Sequence, residues 1–450
     1  MTELREDNFD VGTSVELFAG GGGLAIALHE AGFRHLLLNE LAKKACETLR
    51  AYRATNWRGL DHIPTGREEK WPLIEGSVKG VDFGHLKGKV DVLAGGPPCQ
   101  PFSLGGGHKG HVDERNMFPE FFRAVRQIKP KAFICENVRG LLRKSFEPYF
   151  EYILNELSMP FVERGDATWE EHNQQIIAAR ATEPADHAAL SERYMVVFIP
   201  VNAADYGVPQ VRNRVIVVGF RLDLGIDEEV WEKFKPHRTH SEAVLNHELG
   251  NPNSAYWKRH KYVDAAVRKQ VIADAAAVSP DHDDLRKKLM PWRTLRDAVF
   301  GNPDAVPAPP PLPQEGLIDK KQHPGTTIQD HVGWPGARTY TGHTPNRLDR
   351  PAKTVKAGVH GVPGGESVML LDRNPEDVED KYRYMTVREV ARVMTFPDDW
   401  EPTGPRGEDM RQLGNAVPVL LGQRFAEAVA SALQSVTDTE IAESETSVEV

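Results

Sequence analysis

VELFAGGGGLAIALHEAGF, residues 15 to 33, is the stretch on which the fold turns. A short apolar run meets four consecutive glycines, and the glycines lead straight into a helical pattern. Glycine lets the backbone turn sharply and leaves room for a ligand at the N-terminus of the following helix. Strand, glycine turn and helix form the opening unit of a doubly wound α/β domain. No Lys-Ser/Thr pair follows the glycines, so this is not a phosphate-gripping Walker loop. Glu40 closes the next apolar run, HLLLNE, about 20 residues on, where an acidic residue commonly hydrogen-bonds a ribose. Turn and acid together suit a nucleoside cofactor, either a dinucleotide or S-adenosylmethionine. A tight turn beside a Glu that merely caps its strand is the plainer alternative.

Outward from this unit the same alternation continues to about residue 220. VDVLAGG, AFICENV and RVIVVGF are short and rich in β-formers, as buried parallel strands are. LAKKACETLRAY and FPEFFRAVRQI lie between strands and carry helical periodicity. Residues 161–192 are polar and helix-prone and are expected to be an insertion before the strand YMVVFIPVNAADYGV. Beyond residue 223 the alternation fades, and NPDAVPAPPPLPQ marks a stiff loop or linker. The expected plan is a catalytic and cofactor-binding domain over 1–222, a smaller irregular target-recognition domain over 223–384, a return to the first domain over 385–435, and an acidic, disordered tail over 436–450.

GGPPCQPFS, residues 95 to 103, places Cys99 in a proline-stiffened loop after a strand. In open α/β sheets that edge is where ligands bind, and proline lowers the loop's freedom. Cys99 is either a covalent nucleophile or a small residue packed in a tight turn. The next strand, KAFICENVRGL, ends in Glu136, which would deliver a carboxyl to the same edge. In a desolvated pocket such a group can donate a proton. Cys135 alternates to the opposite side of that strand and Cys46 sits in a helical pattern, so both read as core residues. Arg212 and Arg214 stand two apart at a strand start and are expected to face one side, offering forked donors to a carbonyl or phosphate.

Three cysteines in 450 residues are too few and too scattered for a disulfide framework or a zinc site. No apolar run approaches the ~18 residues of a membrane span, and the polar start MTELREDNFD is not a signal peptide. A cytoplasmic setting is expected. The net charge of −10 argues mildly against a nucleic-acid binder, but binding needs only a local basic face. WKRHKY, VRKQ, LRKK and WRTLR, within residues 252–296, interleave Arg and Lys with Trp and Tyr. That suits either a nucleic-acid surface or a solvated helix face.

These blocks resemble those of the DNA (cytosine-5)-methyltransferases, in family order: FAGGGGL (18–24), Glu40, GGPPCQPFS, DERNMF (113–118), ENVRG (136–140), ADYGVPQVRNR (204–214), RPAKTV (350–355), TVREVARVMTFPDDW (386–400) and GNAVP (414–418). They span the chain apart from the variable region, the 161–192 insertion and the tail. The resemblance implies a Rossmann-like S-adenosylmethionine-dependent domain that methylates C5 of cytosine in a short sequence of double-stranded DNA, without a metal. It implies that Cys99 adds to cytosine C6, that Glu136 binds N3 and the exocyclic amine, and that Arg212 and Arg214 orient the flipped base and the catalytic loop. Phe18, Ala19, Gly20, Gly22, Gly23, Leu24, Glu40, Leu41, Pro97 and Asn415 take the cofactor contacts. Position 41, often Trp in the family, is Leu41 here. The acid expected near position 77 is replaced by Ser77, with Asp82 five residues later, and DERNMF is one residue shorter than usual. A monomer is expected, with a cognate restriction endonuclease or another phage-defence protein as further partner. The competing readings are an RNA cytosine methyltransferase of the same fold, a catalytically inactive DNA-binding relative, and a nicotinamide-dependent dehydrogenase, which would have no use for PPCQPFS or ENV.

Overall fold

The computed structural model describes residues 10–59, 63–98, 116–278, 281–302, 310–314, 317, 328–339, 344–357, 367–372 and 381–448. The chain divides into two compact units, one of residues 1–201, 213–236 and 422–450, the other of residues 202–212 and 237–421.

The first unit is built on an eight-stranded sheet. Its strands are β1 (Gly12–Leu17), β2 (Phe33–Glu40), β3 (Ala54–Asn56), β4 (Trp71–Glu75), β5 (Val92–Gly95), β6 (Ala132–Val138), β7 (Tyr194–Asn202) and β8 (Asn213–Arg221). They lie in the order β3-β4-β2-β1-β5-β6-β8-β7. The first six are parallel, and β8 runs antiparallel to β6. The helices are α1 (Gly23–Glu30), α2 (Lys43–Tyr52), α3 (Phe118–Ile128), α4 (Glu147–Ser158), α5 (Trp169–Arg180), α6 (His187–Leu190) and α7 (Glu228–Phe234). The doubly wound α/β class expected from the glycine turn is the one observed.

The strands that read as unbroken apolar runs are central because both their faces are covered. All four residues of β5 are buried. On α3, Phe118, Phe121, Phe122, Val125 and Ile128 form one buried face at helical spacing. They join Leu17, Leu37, Leu93, Phe133 and Ile153 in the principal core. From β1 the chain winds outward through β2, then crosses back to place β5 on the other side of β1. The carboxyl ends of β1 and β5 therefore flank the switch point at which such sheets bind ligands.

Residues 161–192 form helices, as expected, and they pack. Thr168 and Glu171 make a capping box at the start of α5. His172 is fully buried, with Nδ1 3.1 Å from Tyr152 Oη on α4 and Nε2 2.8 Å from the Val162 carbonyl.

The second unit contains α8 (Glu242–Gly250), α9 (Ala255–Arg259), α10 (Ala265–Ala276), α11 (His282–Arg286), α12 (Leu295–Phe300), α13 (Val387–Val393) and α14 (Arg406–Asn415). It also holds the paired strands β9 (His240–Ser241) and β10 (Met290–Pro291), and a small sheet of β11 (Asn346–Arg347), β12 (Val368–Leu370) and β13 (Tyr382–Tyr384). Leu245, Leu249, Tyr256, Trp257, Ala275 and Trp292 form one core cluster.

The units divide the chain differently from the plan read in the sequence. The second unit starts at 237 rather than 223, borrows 202–212, and keeps α13 and α14, so the return falls at 422 rather than 385. Buried polar ties hold α13 and α14 there. Arg383 Nη1 donates to Glu389 Oε2 at 2.7 Å, joining β13 to α13. Arg212 donates to the carbonyls of Gly414 and Ala416 at the end of α14. The tail also differs from expectation. Helix α15 (Val419–Val448) runs through most of it, and no Gly or Pro stands between Gln423 and Val448 to stop the helix. Among the described residues no helix is long and apolar enough to cross a membrane.

Candidate active site

The glycine turn departs from β1 through Phe18, whose φ of 59° is a left-handed conformation rarely adopted by a bulky side chain. Gly20 (φ 56°) and Gly22 (φ 93°) complete the reversal, and α1 starts on Gly22, which has no side chain to cap it. Glu40, at the end of the neighbouring strand β2, braces the turn. Its Oε2 accepts from Gly20 N at 2.7 Å and its Oε1 from Ala42 N at 2.7 Å. A carboxylate has about four lone-pair positions, so the same group can still receive two hydroxyls. A Cβ at Gly20 would meet nothing within 4 Å, which leaves open space over the turn. Ala19 and Leu24 are buried beneath it. Leu41 is 70 % exposed beside Glu40, an apolar surface where a flat ring can lie. Gly76 N donates to the Glu40 carbonyl at 2.8 Å, so Ser77 follows directly on this edge. Asp82 instead caps the turn at Gly84. A nucleoside with a 2′,3′-diol fits this donor and acceptor set.

Next to β1 lies β5, in register Leu17 to Gly95, and beyond it β6, with Gly95 opposite Cys135. The proline loop and Glu136 therefore leave the sheet side by side. A side chain at Gly95 would strike the Leu17 carbonyl at 2.8 Å, which explains the glycine. Gly96 lies close enough that its Cβ would sit 3.5 Å from Glu136 Oε2. Asn137 Nδ2 donates to the carbonyl of buried Pro97 at 3.0 Å and anchors the root of the loop. Cys99 and the residues through 115 lie outside the described residues.

Glu136 is 8 % exposed, and Arg214 Nε stands 2.7 Å from its Oε1. The pairing follows from register: Arg214 lies opposite Val138, which shares a face with Glu136, and the long guanidinium reaches diagonally. Arg212 does not share this arrangement. Strand β8 begins only at Asn213, so two-residue alternation does not carry back to Arg212. Arg212 is 1 % exposed and donates to the carbonyls of Val355 at 2.9 Å, Gly414 at 2.8 Å and Ala416 at 2.9 Å. Its guanidinium joins QVR, RPAKTV and GNAVP within the second unit. Gly414 packs so tightly that a Cβ would lie 2.2 Å from Ala357 N. Asn415, the last residue of α14, is exposed in the second unit.

Sequence reasoning missed Glu16, although an acid inside the apolar run SVELFAG was a visible signal. Glu16 is 2 % exposed, and its Oε2 has no hydrogen-bond partner among the described residues. Burial pushes its carboxyl well above the usual carboxylate range, and the charge of Glu40 adds to the effect. Folding therefore favours the neutral form of Glu16, while the unfolded chain ionises it above about pH 4.3. Its cost to stability grows as pH rises from there toward the folded value. Glu16→Gln keeps the shape and removes the ionisation. The variant should match the parent near pH 4 and exceed it in stability at pH 8, read from urea unfolding midpoints.

A glycine turn braced by Glu40, beside Pro97 and a buried carboxylate paired with a guanidinium, at the carboxyl edge of a doubly wound sheet, is the architecture of a Rossmann-like methyltransferase. The fold matches that of a protein described as a DNA modification methyltransferase encoded within an E. coli prophage, with a TM-score of 0.51 and 17 % identity over 94 % of this chain and 99 % of that one. The chain belongs to the C-5 cytosine-specific DNA methylases, whose family model matches residues 12–159 and 189–431. It is a DNA (cytosine-5-)-methyltransferase. The gap in that match coincides with the expected insertion. The chain is 35 % identical to the type II methyltransferase M.NgoMIV of Neisseria gonorrhoeae, over 94 % of this chain and 98 % of that protein. It is 31 % identical to the type II methyltransferase M.PspPI of Psychrobacter sp. (strain TA137), over 92 % and 78 %.

Proposed function

We propose that the chain methylates C5 of cytosine within a short sequence of double-stranded DNA, with S-adenosylmethionine as donor and a covalent bond from Cys99 to C6 as the activating step. The observation that carries this reading is the register Leu17–Gly95–Cys135, which sets the glycine turn, the Pro97 loop and Glu136 on three adjacent strand ends.

Glu40 and the backbone of the turn from Phe18 to Leu24 hold the nucleoside, and Leu41 and Ser77 border its base. Asn415 is a further candidate contact from its place in GNAVP. S-adenosylmethionine, when bound, supplies an electrophilic methyl group. Cytosine C5 is a poor nucleophile while the ring is aromatic. The Cys99 thiolate adds its electron pair to C6, the C5–C6 π electrons shift to C5, and Glu136 stabilises the charge through N3 and the exocyclic amine. Arg214 holds the Glu136 carboxyl in place. C5 then takes the methyl group, loses its proton, and expels the thiolate as the C5–C6 double bond re-forms. The base must leave the helix for this to occur.

The type II relatives support a bacterial cytoplasmic setting beside a cognate restriction endonuclease or another phage-defence protein, and one copy of the chain suffices for one cytosine. Expression in a methylation-free host followed by bisulfite sequencing should show 5-methylcytosine at one short motif. Unmodified DNA despite folded protein would refute the reading. Glu40→Ala removes the brace of the turn and the ribose acceptor. It should weaken S-adenosylmethionine binding by about 10- to 100-fold, since a charged hydrogen bond contributes about 1.5–3 kcal/mol. Isothermal titration without DNA measures this directly.

A further inference from the structure

The stretch WKRHKY, residues 257 to 262, separates into a buried base and an exposed tip. In the base, Trp257 is 1 % exposed and its Nε1 donates to the Leu249 carbonyl at 2.9 Å. Tyr256 is fully buried and donates its hydroxyl to Asp349 Oδ1. Arg259 Nε and His260 Nε2 each lie 2.9 Å from Asp297 Oδ1. Half of the basic–aromatic signal thus belongs to the interior. Further along, Trp292 and Arg296 are likewise buried, bonded to Asp205 and Asp349.

The tip is different. Lys258, Lys261 and Tyr262 are exposed, and Tyr262 is 90 % exposed with Lys261 Nζ 5.0 Å from its ring centroid. Neither lysine makes an ion pair among the described residues, whereas neighbouring Arg259 is held by Asp297. The acid nearest in sequence, Asp264, is turned to its own helix. Its Oδ1 accepts from Ala266 N at 2.8 Å and Val267 N at 3.2 Å at the start of α10.

We propose that this tip, from Lys258 in the last turn of α9 to Tyr262 before α10, is a contact for double-stranded DNA. The two lysines meet backbone phosphates, and Tyr262 lies against a sugar or base of the bound duplex. The inference deepens the function proposed above and rests on it. Uncompensated cations beside an aromatic face complement a polyanion that also presents flat rings. A protein of net charge −10 needs such local basic surface to approach DNA. The anchored base lowers the ordering cost on binding, because only the tip's own side chains must be fixed.

The test uses the full chain and a fluorescein-labelled duplex carrying the motif found by bisulfite sequencing, with affinity read by anisotropy across a salt series. Lys258→Gln with Lys261→Gln should reduce the slope of log affinity against log salt by about two. Tyr262→Ala should weaken binding roughly tenfold, and Tyr262→Phe should restore most of it. Unfolding midpoints and S-adenosylmethionine affinity should stay at parental values, which separates lost contact from lost fold. A methylating parent whose variants keep the parental slope and bind within twofold overturns the tip as a DNA contact and leaves the function standing. A folded parent that deposits no 5-methylcytosine overturns both.

Discussion

Cys99→Ala is expected to reduce methyl transfer to background while S-adenosylmethionine still binds. The nucleoside contacts proposed on Glu40 and the turn from Phe18 to Leu24 are left unaltered by the substitution. In the proposed reaction the chemistry depends on the thiolate, because without addition at C6 the C5 carbon has too little electron density to attack a methyl group. A free thiol is only a few per cent ionised at neutral pH, yet intrinsically very nucleophilic. No other thiol can stand in for it. Cys46 is fully buried, and burial pushes its thiol up to about 12, with Glu40 and Glu75 adding to the effect. Cys135 is 1 % exposed and burial raises it further, with the charge of Glu136 beside it. Methyl transfer is read with labelled donor on DNA carrying the motif, and normal turnover by the variant would sink the mechanism. DNA with 5-fluorocytosine at the target supplies the complementary test. Fluorine cannot leave as a proton does, so the parent should form a complex stable to denaturant and Cys99→Ala should form none.

Glu136→Gln is expected to lower the single-turnover rate by about 10²- to 10⁴-fold, the range of a positioned acid. Gln keeps hydrogen-bonding capacity at the same reach but supplies neither a transferable proton nor a negative charge opposite the amine of cytosine. The substitution also leaves Arg214 without its countercharge in a largely buried position. A loss of about 1–3 kcal/mol in unfolding free energy should accompany it. The two effects separate by measurement. Urea unfolding reads the second, while the rate on saturating DNA and donor reads the first in protein shown to be folded. Affinity for S-adenosylmethionine should not change, because Glu136 pairs with Arg214 and has no bond to the glycine turn among the described residues. A variant with parental single-turnover rate would remove Glu136 from the reaction.

Local chemistry made the fold around the candidate site legible in the sequence. A glycine turn needs glycines wherever the chain reverses. An acid one strand later meets that turn because β1 and β2 are adjacent, and the Gly20 N to Glu40 bond is the outcome. The start of the PPCQPFS loop and ENV could be placed on one edge because the first follows and the second ends a buried parallel strand, and parallel strands end on the same side. The tertiary structure alone decided matters that depend on partners far away in the chain. Arg212 and Arg214 look equivalent at a two-residue spacing, yet one reaches Glu136 and the other the carbonyls of Val355, Gly414 and Ala416. WKRHKY reads as one basic–aromatic patch until Asp297 takes its middle residues, Arg259 and His260, inside. The chain's return falls at 422 instead of 385 because buried ion pairs and backbone bonds keep α13 and α14 in the second unit. Periodicity and turn chemistry act over a few residues and are written in the order of the chain. Which buried charge finds which partner is a contest among distant groups, and only the folded chain settles it.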